Sequence, residues 1–154
     1  MGSVYDPAVS IWTDILGGPA WSDKANWGNA EYYSTIQAVS VGGKIYLVAR
    51  DGAGITGSVY DPTASSWTEI SRGPTLSDPS WKFAQFYSTI RSVSANGKLY
   101  LFARGQSGIV GSVYDPTATS TPWTDITAPG APVWSDVTGW TDASYYSTIR
   151  SNPL

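Results

Sequence analysis

The sequence predicts an all-β protein, a β-propeller built of four-stranded antiparallel blades, and three observations lead to this fold class. First, one unit of about 55 residues recurs along the 154-residue chain. Second, Gly, Ser, Thr, Pro, Trp and Tyr are abundant, which favours short strands joined by turns, and no segment shows a 3.6-residue apolar period. Third, each complete unit contains four strand-like segments, the number that a propeller blade requires.

The repeat is marked by motifs that recur in the same order. GSVYDP begins at residues 2, 57 and 111, and Trp-Thr-x-Ile follows at 12, 67 and 123. Ser-Asp then begins at 22, 77 and 135, a second tryptophan stands at 27, 81 and 140, and Tyr-Ser-Thr-Ile begins at 33, 87 and 146. Successive copies of a motif lie 54 to 59 residues apart, by subtraction of these positions. Chance does not produce this agreement, so the chain is a tandem array.

Each unit offers four segments rich in aromatic and β-branched residues, separated by turn-forming residues. The second and third are the clearest, and an Asp-Pro pair stops the third. The first, second and third predicted strands of a unit are represented by Tyr87–Ser94, Lys98–Arg104 and Ile109–Tyr114. The fourth is represented by Ser66–Ile70 of the preceding unit. The connectors Ala95–Gly97 and Gly105–Gly108 are rich in turn residues, as antiparallel hairpins require.

Counting these strands gives one domain over residues 1–154 with two complete blades and a divided third. The units run approximately over 1–32 (third and fourth strands only), 33–86, 87–145 and 146–154 (first strand only). The divided blade therefore lacks its second strand. Because a propeller needs at least four blades, the chain is expected either to assemble with itself or to be a piece of a longer propeller. A homo-dimer that forms a six-bladed ring is the simplest assembly.

Composition excludes several classes of function. The chain has no cysteine and no histidine, which excludes disulfides, Cys/His zinc sites and an imidazole base, and no cofactor is expected. The net charge of −3, without a basic cluster, disfavours nucleic acid and acidic membranes as partners. No apolar run is long enough for membrane insertion, and Met1–Ser10 lacks the apolar centre of a signal peptide. A soluble protein is expected, in the cytoplasm or secreted by a non-classical route.

Two propeller families resemble this repeat. Lys44–Arg50 and Lys98–Gly105, with the later Trp-Thr-x-Ile, resemble the blade pattern of the seven-bladed bacterial lectins of the Photorhabdus type. That resemblance implies binding of fucose- or galactose-type glycans at sites repeated around a ring. Tyr60–Trp67 is similar to the YDPxTxxW pattern of kelch blades, which implies a protein-interaction propeller. The double glycine that follows the second kelch strand is replaced here by Ala49-Arg50 and Ala103-Arg104, which favours the lectin.

A binding site for sugar is predicted where adjacent blades meet. A sugar offers an apolar face for stacking on an aromatic ring and hydroxyls for carboxylates or guanidinium groups. The loop between the fourth strand and the next first strand supplies this mixture in every unit, and an arginine ends each second strand. The predicted ligand-binding residues are Trp27, Trp81, Trp140, Asp23, Asp78, Asp136, Trp21, Trp134, Arg50 and Arg104.

Structural roles are the alternative for the same residue types. Trp12, Trp67 and Trp123 are expected to pack between blades, and the Asp-Pro pairs to form turns. Each loop tryptophan has two alternative roles, ligand contact or anchoring of the blade. Each loop aspartate also has two, ligand contact or capping of backbone N–H groups. A catalytic site is not expected, because a glycosidase needs one pair of carboxylates and every acidic landmark here is repeated. The sequence therefore predicts a multivalent lectin, with a kelch-like interaction propeller or a self-assembling propeller fragment as alternatives.

Overall fold

The computed structural model of the chain describes residues 2–15, 30–51, 54–70, 84–104 and 109–126. These ranges contain ten β-strands, two short 3-10 helices and no α-helix, which confirms the predicted all-β class. The strands are β1 (Gly2–Asp6), β2 (Ile11–Ile15), β3 (Gln37–Val41), β4 (Lys44–Asp51), β5 (Gly54–Asp61), β6 (Ser66–Glu69), β7 (Arg91–Ala95), β8 (Lys98–Arg104), β9 (Ile109–Tyr114) and β10 (Trp123–Asp125). The 3-10 helices are Ala30–Thr35 and Ala84–Thr89.

The strands form one hairpin and two four-stranded sheets. The hairpin pairs β1 with β2, the first sheet has the order β3-β4-β5-β6, and the second sheet has the order β7-β8-β9-β10. All neighbours in these sheets are antiparallel and consecutive in the chain. The predicted four-stranded antiparallel sheets are thus confirmed, and the hairpin corresponds to the third and fourth strands of the repeat.

The Tyr-Ser-Thr-Ile motif is not a strand, and its prediction as the start of the first strand was wrong. Its first three residues end a 3-10 helix in both units, and the strands begin afterwards, at Gln37 and Arg91. The Thr35 hydroxyl donates to the carbonyl of Tyr32 at 2.7 Å, and the N–H of Ile90 donates to the carbonyl of Tyr87 at 3.2 Å. These local bonds offer the backbone an alternative to the sheet ladder despite the β-branched residues.

The hydrophobic core lies between the two sheets. Leu99 and Leu101 of β8 are fully buried at 0% exposure, and Tyr46 and Val48 of β4 belong to the same buried cluster. The ring centroids of Tyr46 in the first sheet and Tyr114 in the second are 5.9 Å apart. The backbones of the two sheets approach most closely where β3 lies beside β7. The sheets are therefore stacked face to face and are closest at their first strands.

The Asp-Pro pair after the third strand forms a turn, as predicted. The carboxylate of Asp61 accepts hydrogen bonds from the N–H groups of Thr63 and Ala64, at 2.9 and 3.2 Å. Asp115 makes the equivalent bond to Thr117 at 2.9 Å. Such bonds from an aspartate to its own turn are a common way to fix a loop.

Candidate functional site

Eight of the ten predicted ligand-binding residues lie outside the described residues, and their role stays a prediction. They are Trp21, Asp23, Trp27, Asp78, Trp81, Trp134, Asp136 and Trp140. The structure places the other two, Arg50 and Arg104, at equivalent positions near the end of the second strand of their sheets.

Arg50 lies at the junction between the two sheets. Its guanidinium carbon is 5.7 Å from the ring centroid of Tyr32 and 5.4 Å from that of Tyr87, which belongs to the next unit. The two rings are themselves 5.6 Å apart, and tyrosine faces at such distances attract a cation. Only 6% of Arg50 is exposed. Arg50 therefore belongs to a packed cation–aromatic cluster, and its role in ligand binding stays a prediction.

The backbone of each arginine is fixed by a buried threonine from the 3-10 helix. The hydroxyl oxygen of Thr35 accepts a hydrogen bond from the N–H of Arg50 at 2.9 Å, and that of Thr89 accepts one from Arg104 at 2.8 Å. Both threonines are buried. Each 3-10 helix is thus attached to the strand end that carries the arginine.

Tyr32, Thr35 and Thr89 were not among the predicted site residues. Each belongs to, or stands next to, the repeated Tyr-Ser-Thr-Ile motif, which was assigned to a strand. In a strand the threonines would share one face of the sheet, whereas in the 3-10 helix they turn toward the backbone of the second strand. The recurrence of threonine at one position was the signal that could have identified them.

The first tryptophan of each unit packs against the tyrosine of GSVYDP, with the two rings tilted. The ring centroids are 5.1 Å apart in Tyr5–Trp12, in Tyr60–Trp67 and in Tyr114–Trp123. In the two sheets these tryptophans are partly buried, which fits a packing role. Trp12 is 68% exposed, so its expected packing between blades is not seen in this structure, because nothing among the described residues covers that side of the hairpin.

A lysine at the start of each second strand pairs with the turn aspartate. Lys44 Nζ lies 2.9 Å from Asp61 Oδ2, and Lys98 Nζ lies 2.8 Å from Asp115 Oδ2. The hydrogen bond to the lysine is the main cause that holds the pKa of each aspartate below its ordinary value, and it raises the pKa of each lysine. These ion pairs join the start of the second strand to the turn after the third strand, so the charged groups stabilise the fold.

An open cleft lies between the sheets at the end opposite to Arg50. It has a volume of about 250 Å³ and is lined by the two β-turns that join the first and second strands, including Ser40, Ser94 and Asn96. Both turns have a positive φ, at Gly42 and Gly43 and at Asn96 and Gly97, which glycine and asparagine adopt readily. The cleft offers small polar groups and no aromatic ring.

The described part of the chain contains no group of three or more carboxylates or other metal-binding side chains. None of its helices has the length and apolar character needed to cross a membrane.

The sequence was also compared with known proteins. No protein-family model matches it, and no curated protein is significantly similar to it.

Proposed function

We propose that this chain is a multivalent carbohydrate-binding lectin whose four-stranded sheets are blades of a β-propeller. Its ligands are fucose- or galactose-type glycans, bound in pockets at the junctions between adjacent blades, and the protein has no catalytic role. The observation that carries the proposal is the junction itself, where Arg50 lies against tyrosine rings of both 3-10 helices.

The arrangement of the sheets supports the propeller. Propeller blades are four-stranded antiparallel meanders placed around a central axis, with their first strands innermost. The two sheets here have that strand order, stack face to face and approach most closely at β3 and β7. Thr35 and Thr89, Ala49 and Ala103, and Ser58 and Ser112 are buried at equivalent positions of the two units, which supports a repeat of one blade.

The loops that precede the 3-10 helices support a sugar ligand. They carry tryptophan and aspartate, and aromatic faces and carboxylates are the partners that a pyranose ring and its hydroxyls need. Trp27 precedes the first 3-10 helix by three residues, and Trp81 precedes the second by three residues. Three residues span at most about 11 Å, so each tryptophan is within that distance of the start of its 3-10 helix. The buried Arg50 then serves to position the junction, while the loop side chains contact the sugar.

Repetition of the site supports multivalency. Equivalent sites on one assembly raise the avidity for a surface that carries many glycans by 10²- to 10⁴-fold, about the gain expected from linking weak sites. Weak single sites are therefore sufficient for this function.

A glycan array followed by titration of individual sugars tests the proposal. The wild-type protein is expected to bind fucosylated or galactosylated glycans. Trp27→Ala is expected to weaken this binding by about 10-fold or more, because stacking on the sugar is lost, whereas Trp27→Phe is expected to retain most of the affinity. Far-UV circular dichroism checks that each variant folds. Assembled wild-type protein that binds no glycan would sink the lectin proposal and favour the kelch-like interaction propeller.

A further inference from the structure

The two sheets meet through two different faces, which the strand register defines. We call the face that carries Tyr46 and Val48 in the first sheet its front face. We call the face that carries Leu99 and Leu101 in the second sheet its back face. Successive side chains along a strand lie on opposite faces of the sheet. Equivalent positions of the repeat therefore define a front face and a back face in each sheet and in the hairpin. The core is formed by the front face of the first sheet and the back face of the second.

The front face of the second sheet is less covered than that of the first. Tyr46 and Val48 are 5% and 1% exposed. Tyr100 and Phe102 occupy the equivalent positions in the second sheet, and both are partly exposed with stacked rings 6.4 Å apart. The second sheet thus presents again the surface that the first sheet uses for packing.

The back face of the β1–β2 hairpin is also uncovered. Tyr5 pairs with Trp12 in the hairpin as Tyr114 pairs with Trp123 in the second sheet, and the rings in both pairs are 5.1 Å apart. Tyr114 and Trp123 pack against the core. Tyr5 and Trp12 are 45% and 68% exposed.

We propose that the front face of the second sheet in one copy of the chain docks on the back face of the β1–β2 hairpin in a second copy. This contact repeats the interface that already joins the two sheets within the chain. It brings Tyr100 of one copy against Tyr5 of the other, as Tyr46 lies against Tyr114 at 5.9 Å. The inference rests on the blade arrangement proposed above and not on sugar binding.

A second copy fits this surface better than any other occupant. The two faces are complementary by sequence, because their equivalents already pack together inside one chain. Hairpin, first sheet and second sheet follow one another in the chain, and in the blade arrangement proposed above the back face of the hairpin and the front face of the second sheet lie at opposite ends of this series. Three blades are fewer than a closed propeller has, so the two ends of one chain do not meet each other. The contact is heterologous, and it closes into a ring when both copies use it.

Cross-linking tests this contact, since the chain contains no cysteine. Tyr5→Cys and Tyr100→Cys are made as single variants, mixed, and treated with a short bis-maleimide. The mixture is expected to give a covalent product of twice the 16.5 kDa chain mass that contains one copy of each variant. A mixture of Val4→Cys and Tyr100→Cys is the matched control and is expected to give none, because Val4 lies on the front face of the hairpin.

Three further variants test the contact. The Tyr46→Cys/Tyr114→Cys double variant is the positive control and is expected to cross-link within one chain. Tyr5→Glu is expected to lose the dimer in native mass spectrometry with unchanged circular dichroism, because Tyr5 is exposed in the single chain. Absence of the mixed product, or a Tyr5→Cys/Tyr100→Cys double variant that cross-links within one chain, would overturn the contact. A protein that lacks this contact but binds glycans would overturn the contact and not the lectin proposal. A cross-linked dimer that binds no glycan would overturn the lectin proposal and not the contact.

Discussion

A buried threonine hydroxyl links each 3-10 helix to its sheet. Thr89 Oγ1 accepts a hydrogen bond from the N–H of Arg104 at 2.8 Å, and Thr35 serves Arg50 in the same way. Thr89 is 1% exposed, so water does not replace the bond when the hydroxyl is removed. The threonine of the repeat is therefore a structural link that positions the arginine.

Thr89→Val is expected to destabilise the protein by about 1–3 kcal/mol, because it keeps the shape of the side chain but leaves a buried N–H without its acceptor. Thr89→Ser retains the hydroxyl and is expected to lose about 1 kcal/mol for the missing methyl group. Urea unfolding followed by circular dichroism measures both. Equal stability of the valine variant and the wild type would contradict the role assigned to this hydroxyl.

The ion pair between Lys98 and Asp115 predicts a dependence of stability on pH. The hydrogen bond to Lys98, and then those to Thr117, hold the pKa of Asp115 well below its ordinary value of 3.8. A lowered pKa in the folded state stabilises the protein above pH 3.8, and this stabilisation is lost as the pH falls toward the folded-state pKa. The pair is at the surface, so its contribution is small and screened by salt.

Lys98→Met is expected to lower the melting temperature at neutral pH and to flatten its decline below about pH 4, because the pKa of Asp115 then returns toward its ordinary value. Lys98→Arg keeps the charge and is expected to retain the steeper decline. Thermal unfolding at low salt between about pH 2 and pH 7 gives the comparison. Identical slopes for wild type and Lys98→Met would show that this pair does not control acid stability.

At the scale of one sheet, a glycine in the third strand leaves room for the isoleucine that follows the fourth strand. A Cβ atom on Gly57 would lie 2.5 Å from the carbonyl oxygen of Leu47 and 2.8 Å from the side chain of Ile70. On Gly111 it would meet side chains only, those of Ile126 and Phe102, at 2.8 to 2.9 Å. The glycine of GSVYDP is thus required by contact across the sheet.

Gly57→Ala is expected to cost about 1–3 kcal/mol of stability through overpacking, and more than Gly111→Ala, since a backbone carbonyl moves less readily than a side chain. The two variants serve as controls for each other in denaturant unfolding. Equal stabilities for both variants and the wild type would refute this account of the repeated glycine.

Strands, turns and their order were predictable from the sequence, and the first strand of each unit was predicted only in part. Lys98–Arg104 and Ile109–Tyr114 alternate, lie between turn residues and have the predicted bounds. Tyr87–Thr89 has the β-branched and aromatic residues of a strand but forms a 3-10 helix, because its threonine bonds to a strand distant in sequence. Residue type alone does not show such a non-local partner.

At the scale of the whole molecule, the repeat predicts how many sheets there are but not which of their faces meet. The motif spacing indicated two complete units and separate third and fourth strands at the start of the chain. The pairing of Tyr46 with Tyr114 across the sheets depends on register and stacking, which the sequence does not encode locally. The contact of Arg50 with Tyr32 and Tyr87 was not predicted, because it depends on how two 3-10 helices pack beside the second strand.

Titration calorimetry of the wild-type protein with L-fucose and with D-galactose tests the lectin proposal most directly. We predict saturable heat with at least one of the two sugars, lost in Trp81→Ala and retained in Trp81→Phe at unchanged mass and circular dichroism. Absence of binding heat with either sugar, in protein whose solution mass shows the assembled form, would contradict it.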